Sequence, residues 1–195
     1  MTLLRIIVLK TKRDDEVDQV FNRALCPNTC HLKVANLFNY PFYSIDELRK
    51  GVSQLSDVLQ PLKLSADVLK IGKKRALIYV YDEAKLKESL GQEEVSMYLK
   101  SLGYTRRSVK SDLEILKSHL QHQQFPHEIG LFLGYDYEDV MGFTQHQGQD
   151  YLYKGYWKVY HEVEQKKQLF RTYSECRKQY LKQYKEGIPL GELFY

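Results

Sequence analysis

The chain has 195 residues, 43% of them hydrophobic and 28% charged, and a formal net charge of +4. These values are typical of a globular protein and exclude a disordered tail, a collagen-like fibre and a coiled-coil rod. No apolar run approaches the roughly 20 residues that a membrane-spanning helix needs, so we expect no membrane partner. The positive charge is too small to indicate a nucleic-acid partner without a local basic patch.

The N-terminus and the cysteines bear on the cellular compartment. The apolar start of the chain is interrupted by Arg5 and is followed by no small-residue cleavage site, which indicates a strand rather than a signal peptide. The chain has three cysteines, an odd number that argues against a disulfide framework. We therefore expect a soluble protein of the reducing cytoplasm.

The first 82 residues predict a small sheet with helices. Runs of β-branched residues indicate strands. A capping residue followed by acidic residues indicates the start of a helix. The predicted elements are a strand at Leu3–Leu9, a helix from Asp14 or Asp15 to Cys26, a strand at Leu32–Tyr40, a helix from Ser44 to just before Pro61, and a hairpin of Ala66–Ile71 with Ala76–Tyr81.

From Asp82 onward the pattern predicts helices alone. They are Glu83–Leu90, Glu93–Leu102, Ser108–His122, Glu128–Leu133, Tyr137–Gln145 and a long helix at Trp157–Lys185. The long helix carries an apolar stripe, and Lys166 is assigned to one of its other faces. The stripe consists of Val159, Val163, Phe170, Tyr173, Tyr180 and Tyr184. We expect an α+β fold in a single domain over residues 1–195, with a small, mostly antiparallel sheet from residues 1–82 packed against a helix-rich half at 83–195.

Cys26 and Cys30 have three residues between them and are followed by His31. The spacing permits a metal site, but no second pair of ligands follows at comparable spacing, so we expect no metal. A covalent haem site needs two intervening residues rather than three. Two interpretations remain: Cys26 is a low-pKa nucleophile at a helix N-terminus, or both cysteines are small buried residues.

Residues Phe125-Pro-His-Glu-Ile-Gly130 open a short predicted helix. Proline and an acid in the first turn both favour helix initiation, so capping is one interpretation of Glu128. A functional role is the other, because His127 titrates near neutral pH. Adjacent residues point about 100° apart on a helix, so this is not the two-histidine zinc motif.

The chain contains 16 tyrosines, an unusual number that predicts either half-exposed packing or a pocket or interface lined with phenols. His119 and His122 share one face of a predicted helix, and the glutamines around them indicate a solvated helix end. The basic residues nearby lack interleaved aromatics, so we expect no nucleic-acid partner.

Several long blocks of the chain resemble a known family. They are Phe125-Pro-His-Glu-Ile-Gly-Leu-Phe-Leu-Gly-Tyr135, Glu138-Asp-Val140, Gly142-Phe143 and Gly155-Tyr-Trp-Lys-Val-Tyr160. The chain is similar over Leu25–Leu193 to an uncharacterised bacterial family, domain of unknown function 3793. The resemblance implies a link to redox or metal physiology, because similar members tend to be encoded near flavodoxin-like or iron-handling genes. The chain departs from the family pattern at Asp136, where many relatives have proline.

These blocks lead to the hypothesis that segments 26–36, 125–135 and 155–160 converge on one pocket for a small ligand or a redox or metal cofactor. The candidate ligand-binding residues are Lys33, Asn36, His127, Glu128, Tyr135, Trp157, Lys158 and Tyr160. One alternative is a thiol-dependent enzyme with Cys26 as nucleophile, His127 as base and Glu128 as a further catalytic candidate. Another is a protein-interaction module that uses the tyrosines and the basic C-terminal helix. A redox protein is a candidate partner, while the cofactor and the oligomeric state are not predicted.

Overall fold

The computed structural model describes residues 32–122 and 125–186. In chain order, its elements are β1 (Ala35–Pro41), α1 (Ile45–Leu59), a 3₁₀ turn (Gln60–Leu62), β2 (Ser65–Ile71), β3 (Arg75–Tyr81), α2 (Glu83–Gly91), α3 (Glu93–Ser101), α4 (Val109–His122), α5 (Ile129–Phe132), α6 (Tyr137–Gln145), β4 (Tyr153–Lys154), β5 (Lys158–Val159) and α7 (Val163–Lys185). The combination of helices with small antiparallel sheets confirms the predicted α+β class. The expected elements before residue 32 lie outside the described residues, and the single-domain organisation stays a prediction. Within the described ranges, no helix combines the length and the apolar character needed to cross a membrane.

The main sheet has the strand order β1-β3-β2, with both neighbours antiparallel to β3. Helix α1 begins where the sequence predicted, because the Ser44 hydroxyl accepts a hydrogen bond from the Glu47 backbone N–H at 3.2 Å. This cap satisfies one of the amide groups that a helix N-terminus leaves without a partner.

Strand β3 separates two buried layers because alternate side chains of a strand face opposite sides of the sheet. Ile78 and Val80 belong to the cluster that includes Leu59 of α1. Tyr79 belongs to the larger cluster built from helices α2 to α5, and its hydroxyl donates to the backbone carbonyl of Phe132. The helix-rich half therefore covers one face of the sheet and α1 covers the other.

The predicted start of the long helix at Trp157 is wrong, because residues 153–159 form a short antiparallel hairpin and α7 begins at Val163. Trp157 and Val159 are buried, whereas Lys158 between them is half-buried. This alternation of burial every second residue is typical of a strand. At the hairpin turn, a Cβ on Gly155 would lie 2.2 Å from the Phe170 ring. Glycine therefore allows the turn to pack directly against α7.

The apolar stripe of α7 is confirmed at Phe170, Tyr173 and Tyr180, all of them buried. Trp157 meets the Phe170 ring edge-on, with 4.5 Å between ring centroids. Cys176 lies on the same buried side of the helix and is disulfide-bonded, with its partner outside the described residues. The expectation of a chain without disulfides is therefore wrong at this residue.

Candidate functional site

The structure brings Lys33, Asn36, Tyr135 and Trp157 together where β1 approaches the end of α5 and the β4–β5 hairpin; we call these residues the amine cluster. The Lys33 ammonium donates a 2.9 Å hydrogen bond to the Asn36 side-chain oxygen. The same Nζ atom lies 5.7 Å from the centroid of the Tyr135 ring. Tyr135 stacks on Trp157, with 4.4 Å between ring centroids and 18° between ring planes. Each of the three predicted segments thus contributes to one cluster.

A close approach at Gly134 places Tyr135 beside Lys33. Gly134 follows helix α5 with a φ of +74°, a conformation that side chains other than glycine rarely adopt. A Cβ at this position would lie 2.5 Å from the Val34 side chain. The glycine therefore lets the helix end and the start of β1 touch, and the following residue reaches the lysine.

Lys33 is a buried cation, and the described residues place no acidic partner beside it. It is 7% exposed, and among residues 32–122 and 125–186 no carboxylate lies within ion-pair distance of its ammonium. Burial lowers the pKa of Lys33 to about 8, because removal from water disfavours the charged form. Because an uncompensated buried charge is unfavourable, binding an anion or losing the proton would lower the free energy of the folded state at this amine.

Asp139 on α6 fixes Trp157 and the end of the hairpin. Its carboxylate accepts hydrogen bonds from the indole N–H of Trp157 at 2.7 Å, the backbone N–H of Tyr160 at 2.7 Å and the backbone N–H of His161 at 3.1 Å. Asp139 is 2% exposed, so these donors replace the water that the carboxylate loses. It positions the aromatic part of the amine cluster.

Lys166 is a second buried lysine near the hairpin, and its predicted place away from the apolar stripe of the long helix is wrong. It lies four residues before Phe170, on the buried stripe, and is 5% exposed. Unlike Lys33, Lys166 has an acidic partner, the carboxylate of Asp136. This ion pair joins α7 to the residue that precedes α6. Lys33 differs, because the described residues give its ammonium a hydrogen bond to Asn36 and no carboxylate.

Three predicted site residues contact a different surface, on the outer side of the hairpin. The Lys158 ammonium lies 5.6 Å from the Phe143 ring centroid and 5.1 Å from that of Tyr151. His127 is exposed, and its ring lies 5.2 Å from that of Phe143. The Tyr160 hydroxyl donates to a loop carbonyl at 2.8 Å. Because neighbouring strand residues point to opposite sides, Lys158 faces away from Trp157.

Glu128 lies in a third location, against α4. Its buried carboxylate accepts a 3.1 Å hydrogen bond from the Tyr104 hydroxyl, and the same oxygen is 2.8 Å from His119 Nδ1. Burial and the nearby Glu128 carboxylate raise the pKa of Tyr104 far above its ordinary value, so the phenol stays a neutral donor. The sequence analysis missed this contact and assigned His119 to a solvated helix end. The sequence signal that could have pointed to this contact is the acid Glu128 at the start of a helix.

The thiol-enzyme alternative stays a prediction because Cys26 lies outside the described residues. Of its proposed partners, His127 is exposed beside Phe143 while Glu128 is turned towards Tyr104 and His119. In the two described ranges, no three His, Cys, Asp or Glu side chains are placed to hold a metal ion together.

The blocks that build these contacts are also the ones that match a family. A family model described as "protein of unknown function (DUF3793)" matches residues 22–194. The chain belongs to this family. The match includes the whole amine cluster of this DUF3793 member and confirms the resemblance found in the sequence. Neither a curated protein nor a solved structure matches the chain.

Proposed function

We propose that this protein binds a small ligand carrying a carboxylate or a phosphate at the amine cluster. The observation that carries the proposal is the buried Lys33 ammonium, for which the described part of the chain supplies no carboxylate. A buried ion is stable only when a counter-charge and hydrogen bonds replace its water. An anionic ligand would supply that counter-charge.

The cluster also offers groups that would orient such a ligand. Asn36 holds the Lys33 ammonium through its side-chain oxygen at 2.9 Å. Tyr135, whose ring stacks on Trp157, lies beside the same ammonium, so an aromatic ring borders the place where the anion would bind. Burial raises the pKa of Tyr135 to about 12, so its phenol remains a neutral hydrogen-bond donor at physiological pH.

Thermal denaturation with phosphate, acetate and benzoate as probes tests this function. A ligand that binds only the folded state raises the denaturation midpoint. We therefore expect the anion that binds most tightly to raise the midpoint of wild type and to leave that of Lys33→Met unchanged. Benzoate should raise the midpoint more than acetate does, because it adds an aromatic ring to the same carboxylate. Lys50→Met, which removes an exposed lysine of α1, is the matched control and should respond like wild type. Equal shifts in wild type and Lys33→Met, or no shift with any anion, would contradict the proposal.

Binding should also depend on pH, because the protonated amine is the form that attracts an anion. Since burial lowers the pKa of Lys33 to about 8, we expect anion affinity to fall as the pH rises through that value. The redox or metal cofactor in the same hypothesis and the cytoplasmic location remain predictions.

A further inference from the structure

We propose that the Lys33 amine forms an imine with the carbonyl group of a 2-oxo acid bound at the amine cluster. This inference rests on the proposed function, because a 2-oxo acid is one of the carboxylate ligands that the cluster would bind. Such a compound carries its carboxylate next to a ketone or aldehyde carbonyl. One small molecule therefore supplies both a counter-charge for Lys33 and a carbon atom that an amine can attack.

The surroundings of Lys33 differ from those of Lys166, the other buried lysine in the described ranges. The Lys166 ammonium is held by the carboxylate of Asp136. The described residues give the Lys33 amine a 2.9 Å hydrogen bond to the Asn36 side-chain oxygen and place the Tyr135 ring centroid 5.7 Å away. A lysine becomes a nucleophile where it is removed from water and no carboxylate holds its proton. Lys33 has those surroundings, whereas Lys166 has the surroundings of a structural ion pair.

Burial also increases the fraction of Lys33 that is neutral and able to react. It lowers the pKa of this amine from 10.5 to about 8. The neutral fraction at pH 7 is then about 300-fold larger than for a lysine with the ordinary pKa of 10.5. A less basic amine is a weaker nucleophile, so the gain in reaction rate is smaller than the gain in neutral fraction, about tenfold or more.

The amine lies near enough to the surface for a small ligand to reach it. Leu32, directly before Lys33 in the chain, is 38% exposed. Asn36 and Tyr135 are half-buried rather than buried. The cluster is therefore at the edge of the packed interior, and a ligand of the size of a 2-oxo acid has a short path to the nitrogen.

The step is a condensation that releases water and changes no oxidation state. The lone pair of the neutral Nζ atom attacks the carbonyl carbon, while one N–H group keeps its hydrogen bond to the Asn36 oxygen. A C–N bond forms, and a proton passes from the nitrogen to the former carbonyl oxygen. The nitrogen lone pair then expels that hydroxyl group as water, which takes one proton from solvent. The product is a protonated imine, a cation whose counter-charge is the carboxylate of the bound 2-oxo acid.

Reductive trapping with pyruvate and cyanoborohydride tests the imine in the wild-type protein. The reagent's hydride converts the imine to a stable secondary amine, and peptide mass spectrometry identifies the labelled lysine. At pH 7 we expect Lys33 to be labelled about tenfold or more faster than the exposed Lys50, which is an internal control in the same molecule. Acetone, in which a methyl group replaces the carboxylate of pyruvate, should lose most of this preference for Lys33. Benzoate should slow labelling at Lys33 by competition and leave labelling at Lys50 unchanged.

The outcomes separate this inference from the proposed function. If benzoate raises the denaturation midpoint while pyruvate labels Lys33 no faster than Lys50, the anion site stands and the imine is overturned. If acetone shows the same preference for Lys33 as pyruvate, the assignment to 2-oxo acids is overturned. If neither the midpoint shift nor the preferential labelling is seen, both proposals are contradicted.

The variant Lys33→Arg separates the charge from the chemistry. A guanidinium keeps the positive charge that attracts an anion, but it stays protonated and forms no imine. We expect Lys33→Arg to retain a midpoint shift with benzoate and to lose labelling at residue 33. Circular dichroism shows whether the variant folds, and the trapping experiment on wild type decides the proposal if it does not.

Discussion

Replacing Lys33 with methionine should stabilise the folded protein at neutral pH. The substitution removes the buried charge and keeps a flexible side chain of similar length. Because one pKa unit corresponds to about 1.4 kcal/mol, lowering the pKa of Lys33 from 10.5 to about 8 corresponds to about 3 kcal/mol of unfavourable burial of the ammonium. Subtracting about 1 kcal/mol for the lost hydrogen bond to Asn36 leaves a net gain of about 2 kcal/mol.

The gain should disappear as the pH rises. Below about pH 8 both the folded and the unfolded wild-type chains carry the protonated amine, and the cost of burying it is fully present. Between about pH 8 and 10.5 the unfolded chain still holds the proton that the folded chain has lost, so wild-type stability increases with pH. From about pH 7 to about pH 9.5 this increase amounts to about 2 kcal/mol.

Urea denaturation followed by tryptophan fluorescence measures this difference, because Trp157 is the single tryptophan of the chain and stacks within the amine cluster. Wild type, Lys33→Met and the exposed control Lys50→Met should be compared at each pH in a buffer without phosphate or carboxylate. The difference in unfolding free energy between two variants removes the contribution that all other titrating groups make to the pH dependence. A wild type that is more stable than Lys33→Met at neutral pH, or a difference that does not change with pH, would refute the reasoning.

Three further substitutions test the contacts that position the cluster. Asp139→Ala removes a buried acceptor of three hydrogen bonds and should lower the free energy of unfolding by about 3 kcal/mol in urea denaturation, whereas a loss under about 1 kcal/mol would contradict its role. Gly134→Ala should cost about 2 kcal/mol, because the new Cβ combines a φ of +74° with an approach of 2.5 Å to Val34, and an unchanged thermal midpoint would argue against that contact. Asp136→Asn leaves Lys166 buried without its counter-charge and should destabilise by about 3 kcal/mol, with most of the loss recovered when Lys166→Met is added; a double variant no better than the single one would contradict the ion pair.

The elements predicted correctly are those whose signals are local. Ser44 and the acids after it mark the start of α1, and the structure confirms the cap. The hairpin of β2 and β3 follows from two apolar runs around a glycine-containing turn, and the structure gives Ser65–Ile71 and Arg75–Tyr81. Such signals need only neighbouring residues, so one sequence is enough to find them.

The errors near the site arise from tertiary contacts. Val159 fits the helical spacing of the α7 stripe by coincidence, while its burial comes from the hairpin that Asp139 and Phe170 hold in place. Lys166 was assigned to a face other than the apolar stripe, although its spacing places it on that stripe and Asp136 provides the charge that allows its burial. Pattern analysis cannot supply a partner that is distant in the sequence.

The predicted convergence of three segments on one pocket describes part of the observed arrangement, because Lys158, His127 and Tyr160 lie on a different surface. The convergence of Lys33, Asn36, Tyr135 and Trp157 was expected from the sequence blocks that contain them, and the structure brings these residues into contact. The separate place of Glu128 was not predictable, because it depends on how α4 packs beside α5. Adjacent residues in one motif can therefore serve different parts of the fold.

The most direct test is the ionisation of Lys33 itself, with and without an anion. The carbon-13 shift of its Cε atom can be followed through a pH titration in protein labelled at lysine, with the resonance assigned from Lys33→Met. We expect a titration midpoint near the pKa of about 8 without ligand and an upward shift with benzoate, because a bound anion favours the ammonium. A midpoint near the ordinary lysine pKa of 10.5 that benzoate does not move would contradict both the buried charge and the proposed anion site.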